Sequence, residues 1–140
     1  MEHDYLRDLN MIYLTYTHSR RFGGYNIPIT IQTCYIRDYC KKNAIAFRIP
    51  RTEYCIGGCY SSLINMIAKR KLDKNVTVIM CSVYMLEEAK DLAEELQDLL
   101  SDQDIVYDCI LEGLRMNYQE VRRYLTECNK FNKLALGGQI

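Results

Sequence analysis

The chain has no tryptophan, only two prolines and two histidines, and no excess charge of either sign. Each scarcity excludes something. Few prolines and seven glycines among 140 residues, beside 49% apolar residues, rule out a disordered or fibrous chain. Lysine and arginine total 18, as do aspartate and glutamate, so the overall positive field of a nucleic-acid binder is missing. No apolar run approaches the ~20 residues that span a bilayer. Residues 1–10 are charged and lack the basic-then-apolar order of a signal peptide, which points to a cytoplasmic chain with a short N-terminal extension. With His3 and His18 as the only imidazoles and one close cysteine pair, Cys55 and Cys59, four metal ligands do not assemble. No metal site is expected. Seven cysteines, an odd number without a secretory signal, read as reduced thiols that serve mostly as small apolar residues.

What is present is an alternation of strand and helix patterns without repeat or linker, so residues 1–140 form one domain. Residues 11–17 (MIYLTYT) are β-branched and aromatic and read as a strand. A loop with paired glycines follows. Asn26 can cap a helix that takes Pro28 in its first turn, sets Ile29, Thr33, Ile36 and Cys40 on one face, and ends at Lys41 and Lys42. Residues 44–49 form the second predicted strand, ended by Pro50. Residues 59–71 form a helix, and residues 76–81 a continuously apolar strand of the kind covered on both faces. Residues 87–100 carry Ala89, Leu92, Ala93, Leu96 and Leu100 on one helical stripe. Residues 105–111 complete the strands and residues 118–131 the helices, leaving 134–140 as a flexible tail. The pattern predicts an α/β fold: a three-layer α/β/α sandwich around a four-stranded, mainly parallel sheet with resolvase-like or flavodoxin-like topology.

Parallel strands send their C-terminal ends to one edge, and ligands bind in the crevice outside it. The residues after the four predicted strands are therefore the candidates. Ser19-Arg20-Arg21 before Phe22-Gly23-Gly24 and a helix start suits an oxyanion such as phosphate or carboxylate. Glu53 and Glu112 are candidate acid and base. His18 is the histidine at that edge and titrates near neutral pH. Ser19 is a candidate nucleophile, although no base stands at a fixed offset from it. Ser82 and Arg115 follow the third and fourth strands, and Tyr54, Tyr60 and Tyr84 could stack on a ring. The bland alternatives are solvated arginines, carboxylates held in ion pairs, and tyrosines packing as core and rim. No nicotinamide fingerprint is present, and no cofactor is expected.

At these same loops the sequence resembles a known family. Ser19-Arg20, Phe22-Gly23, Pro28, Gln32 and Ile36-Arg37-Asp38-Tyr39-Cys40, then Thr52-Glu53-Tyr54, Cys59-Tyr60, and Glu112 with Leu114, are similar to the sporadic carbohydrate cluster proteins. The likeness spans roughly residues 12–116. It implies a cytoplasmic role in making or modifying a sugar or nucleotide-sugar precursor for surface polysaccharide, without implying a reaction. The chain departs from that family after the third strand. A Y-S-L-F-Q-L-P type run is usual there, and this chain has Cys81-Ser82-Val83-Tyr84-Met85-Leu86-Glu87. A more distant likeness is to the catalytic domain of serine recombinases: a strand ending near Ser19, a loop, and a helix bearing Gln32. Those enzymes combine a serine nucleophile with several arginines from the third-strand region and the next helix. Residues 83–92 contain no arginine here, so this likeness speaks for topology rather than DNA cleavage.

These readings converge on a protein that binds an anionic sugar at the strand C-termini. Arg20 holds the anion with help from Arg115, while Ser19, Gln32, Arg37, Tyr54 and Ser82 position hydroxyls. Glu53, Glu112 and His18 are available for isomerisation, epimerisation or dehydration. The alternatives are a non-catalytic ligand-binding or scaffolding subunit, and a recombinase-like nucleic-acid enzyme. Neither nucleic acid nor membrane is expected as a partner. The tyrosines and methionines, and the helix over 118–131, are compatible with a homo-oligomer.

Overall fold

A computed structural model describes residues 11–24, 26–54, 59–70 and 73–137. The chain runs β1 (Ile12–His18), α1 (Ile29–Lys42), β2 (Arg51–Glu53), α2 (Ser61–Ala68), β3 (Val76–Met80), a 3-10 helix (Val83–Asp91), α3 (Glu94–Leu100), β4 (Ile105–Cys109), β5 (Leu114–Met116) and α4 (Tyr118–Gly137). The sheet order is β2-β1-β3-β4-β5. The first four strands are parallel, and β5 turns back antiparallel on β4. The fold is thus the expected single-domain α/β sandwich, with five strands rather than four.

The centre of the sheet is β3. Its five residues, VTVIM, are buried throughout, because β1 and β4 flank it and helices cover both faces. The two layers are unequal. Among the described residues, α1 is the one helix on one face, where Ile36 and Cys40 pack with Ile79, Tyr39 and Phe47. The opposite face carries the main core: Tyr16, Val78, Met80 and Tyr107 from the sheet meet Leu63 and Ile67 of α2, Leu86 of the 3-10 helix, Leu100 of α3, and Val121 and Leu125 of α4. The antiparallel return of β5 brings α4 onto that same face.

Four boundaries differ from the sequence reading. The second strand does not occupy residues 44–49; it begins after Pro50, at Arg51. Ile45 and Phe47 meet the apolar demand of their segment by packing on the α1 side, without a ladder. The pairing falls instead where Arg51–Glu53 lie beside Tyr16–His18. The helix expected over 87–100 is two pieces. The first is wound as a 3-10 helix from Val83, and the chain extends at Leu92 and Ala93 (ψ 155° and 150°) before α3. Pro28 stands at the N-cap of α1 rather than inside its first turn, and no side chain caps that end. The last helix continues beyond residue 131 to Gly137. The N-terminal extension, residues 1–10, lies outside the described residues, as do Cys55 and residues 138–140.

The order matters for function. The chain moves from β1 outward to β2, then crosses back to β3 on the other side of β1. The loops after β1 and β3 therefore part in opposite directions, and a crevice opens between them. That switch point is where open α/β sheets bind ligands.

Candidate functional site

At this switch point lies a cavity of about 200 Å³, lined by His18, Arg20, Phe22 and Gly23 from the β1 loop, Tyr60 from the start of α2, and Tyr84, Met85, Glu87 and Glu88 from the 3-10 helix. The loop is shaped by Gly23. Its φ is +57°, and a Cβ there would sit 2.7 Å from the Tyr84 ring, so only glycine lets the loop close against the 3-10 helix.

Arg20 dominates the cavity. Its side chain is 9% exposed and its guanidinium lies 4.4 Å above the Tyr60 ring. The half-exposed Glu88 carboxylate forms an ion pair with it at 3.6 Å, too long for a hydrogen bond. Both terminal nitrogens are buried and have no hydrogen-bond acceptor among the described residues. A buried guanidinium whose charge is met by a ring face and one loose ion pair, with no hydrogen-bond acceptor, still carries a desolvation cost.

His18 is 1% exposed, wedged edge-on between Tyr16 and Phe22 at 6.0 and 5.2 Å. Neither ring nitrogen makes a hydrogen bond of good geometry. Burial, reinforced by the positive charge of Arg20, lowers the pKa of the ring to about 4, and weak approaches of the Met85 and neighbouring carbonyls do not restore it. The backbone of His18 is held firmly: its amide donates to Gln32 Oε1 (3.2 Å), and Gln32 Nε2 donates to the carbonyls of His18 (2.7 Å) and Ile27 (2.8 Å). The buried amide of Gln32 thus locks the end of β1 to the start of α1, and it does so from outside the cavity.

The remaining candidates are placed elsewhere. Glu53 is 1% exposed and accepts from the Tyr16 hydroxyl (3.0 Å), the Ser61 hydroxyl (3.2 Å) and the backbone amides of Ser62 (3.0 and 3.1 Å) and Leu63 (3.4 Å). Its carboxylate closes the N-terminus of α2. Burial and the adjoining Glu53 charge push the Tyr16 hydroxyl far above its usual range, which makes it a firm donor. Glu112 accepts from the Ser82 hydroxyl and the Val83 amide, both at 2.7 Å, and closes the start of the 3-10 helix in the same way. The Ser82 oxygen in turn accepts from the Tyr84 amide (3.2 Å).

Ser19 is exposed, and its hydroxyl contacts the Glu53 carbonyl (3.4 Å) on the β2 side of β1. Tyr54 is 74% exposed beyond β2. On the α1 face, Arg37 lies over the Phe47 ring (5.0 Å). Arg115 binds Thr77 Oγ1 (3.0 Å) and approaches Asp108 (3.8 Å), which also accepts from the Tyr39 hydroxyl. The expectation that the residues after the four strands, Ser19, Glu53, Ser82 and Glu112 among them, line one crevice is therefore corrected. The structure gathers His18 and Arg20 with Tyr60 and Tyr84, and turns both carboxylates onto helix ends. Phe22 of the predicted anion loop and Glu88, which no sequence argument singled out, complete the walls. Position alone could have found Glu88, once the 3-10 winding of residues 83–91 was known.

No protein-family profile matches the chain, and no curated protein matches it. The likeness to sporadic carbohydrate cluster proteins gains no support from these comparisons. Among solved structures, the N-terminal catalytic domain of TP901-1 integrase is similar in fold: TM-score 0.51 and 16% identity over 91% of this chain and 98% of that one.

Proposed function

We propose that this chain uses the backbone of a recombinase catalytic domain as a small-molecule binding domain, with Arg20 gripping an oxyanion in the switch-point cavity. The observation that carries this reading is a guanidinium whose terminal nitrogens are buried without an acceptor at the wall of a cavity of about 200 Å³. Phosphate and carboxylate match its fork. The volume suits the anionic head of a ligand, since sites for whole drug-sized molecules run to ~300–1,000 Å³. Among anions, a sugar phosphate is favoured by the sequence likeness to carbohydrate cluster proteins; an entire nucleotide sugar is too large to be enclosed.

Binding, rather than isomerisation or dehydration by carboxylates, fits the geometry better. Glu53 and Glu112 spend their oxygens on helix amides and hydroxyls and do not line the cavity. This favours the non-catalytic, ligand-binding role over turnover. The fold similarity supports a second reading, in which the anion is a nucleic-acid phosphodiester. Against strand cleavage, the segment after β3 offers Met85, Glu87 and Glu88 to the cavity and no arginine.

Thermal denaturation with inorganic phosphate, glucose 1-phosphate and a DNA oligonucleotide, on the wild type and Arg20→Met, tests both. Ligand at ten times its Kd adds about 1.4 kcal/mol, ~4 °C for a chain of this size. A shift with the two phosphates that disappears in Arg20→Met is expected. A shift with DNA alone, falling steeply with salt, would favour the second reading. The absence of any shift would sink both.

A further inference from the structure

We infer that His18 is the second, proton-linked half of this site: the oxyanion held by Arg20 is also held by a protonated His18, so the site prefers a tetrahedral oxyanion to a planar carboxylate and takes up a proton as it binds. This rests on the anion-binding reading above and deepens it.

The geometry is the ground. His18 lines the same cavity as Arg20, is buried, and has two ring nitrogens that find no acceptor or donor of good geometry among the described residues. It cannot swing away, because Gln32 clamps its backbone from both sides and Tyr16 and Phe22 confine the ring. Two independent buried polar side chains thus lack hydrogen bonds of good geometry at one small cavity. A carboxylate's two oxygens are satisfied by the Arg20 fork alone. A phosphate or sulfate brings a further oxygen that can accept from His18.

The groups around the ring set the direction of the linkage. Its own strand contributes Tyr16, whose hydroxyl is committed to Glu53. Arg20 and the exposed Arg21 come from the β1 loop. Before α2 stands Tyr60, held neutral by burial, its pKa raised to about 12. The 3-10 helix brings Tyr84, Glu87, Glu88 and the Met85 carbonyl. Arg20 and burial favour the neutral ring. An anion on Arg20 reverses that balance, because its charge stabilises imidazolium in a low-dielectric site. The ligand therefore raises the proton affinity of His18. By reciprocity, affinity for the ligand rises as pH falls, by up to about tenfold for each unit of pH across the window between the two protonation ranges.

Calorimetric titration of the full chain with sulfate, whose charge does not change in this range, tests the inference. It is run between about pH 5 and about pH 8, where histidine titrates, in two buffers of different ionisation heat. Wild type is expected to take up a substantial fraction of one proton, to bind more tightly toward acid, and to bind acetate far less well. His18→Gln is expected to bind sulfate with a flat pH profile and no uptake. Should that variant fail to fold, ring-carbon NMR of the wild type replaces it. The His18 signal, separated from that of His3 by His3→Gln, must then move to the imidazolium position on adding sulfate. Sulfate binding that is lost in Arg20→Met but independent of pH in the wild type overturns this inference alone. No sulfate or phosphate binding at any pH overturns it together with the reading on which it rests.

Discussion

Gln32 shows how much one side chain can decide. It occupies the buried stripe of α1 with Ile36 and Cys40, at a position where a helix facing a sheet ordinarily carries an apolar residue. Its amide is chosen for three backbone bonds, two donated and one accepted. Gln32→Glu keeps the shape but sets a carboxylate oxygen against the carbonyls of His18 and Ile27. It should cost more than Gln32→Leu, which strands the same groups without adding charge. Losses of about 2 kcal/mol for Leu and about 3–4 kcal/mol for Glu are expected from the cost of unsatisfied buried groups, read as urea-denaturation midpoints. Equal losses would mean that the amide merely fills space. Glu88 gives the opposite kind of test. As the carboxylate nearest to Arg20, it competes with any bound anion. Glu88→Gln should tighten phosphate binding by about threefold to tenfold, the effect of removing one partly screened like charge, measured by titration calorimetry.

At the scale of the element, both carboxylates that the sequence offered as acid and base turn out to hold helices in place. Glu53→Gln weakens the N-terminal grip on α2 and leaves a neutral amide where the Ser62 and Leu63 amides expect an acceptor. A loss of about 1–3 kcal/mol, typical of charged hydrogen bonds, is expected in chemical denaturation, with the Arg20-dependent thermal shift by phosphate retained. Loss of phosphate binding in a folded Glu53→Gln chain would restore Glu53 to the site. The sequence showed that these residues follow strands; which neighbour they bond was invisible, because that depends on how each loop folds back. The same limit explains the elements. The run of residues 76–81 was legible as a buried strand because covering both faces demands apolar residues throughout. Residues 44–49 looked equally strand-like, since Ile45 and Phe47 obey a period of two, but pairing register rather than pattern assigned β2 to residues 51–53. The break between the 3-10 helix and α3 carries no proline or glycine to announce it. The site was half legible: the strand–helix alternation placed His18 and Arg20 at the binding edge after the first strand and offered Tyr60 and Tyr84 as stacking rings, whereas the strand order that makes this edge a switch point, and the approach of Glu88, come only from tertiary packing.

For the whole molecule, the buried neutral histidine ties stability to pH in a direction that can be worked out. In the unfolded chain His18 titrates near its ordinary value of 6.5, whereas in the folded chain it does so near 4. Between those values the unfolded state binds a proton that the folded state refuses, so folding weakens as pH falls from about 6.5 and levels off below about 4. At ~1.4 kcal/mol for each unit of pH, the full interval is worth about 3 kcal/mol, a large share of the ~5–15 kcal/mol that holds an ordinary domain together. Urea midpoints of wild type and His18→Gln, taken at about pH 7 and about pH 5, should differ in pH slope, the wild type losing more toward acid. A sulfate ligand should offset part of the wild-type loss, because it stabilises the protonated ring in the folded state. Parallel slopes in the two proteins would mean that His18 is not the group being refused its proton.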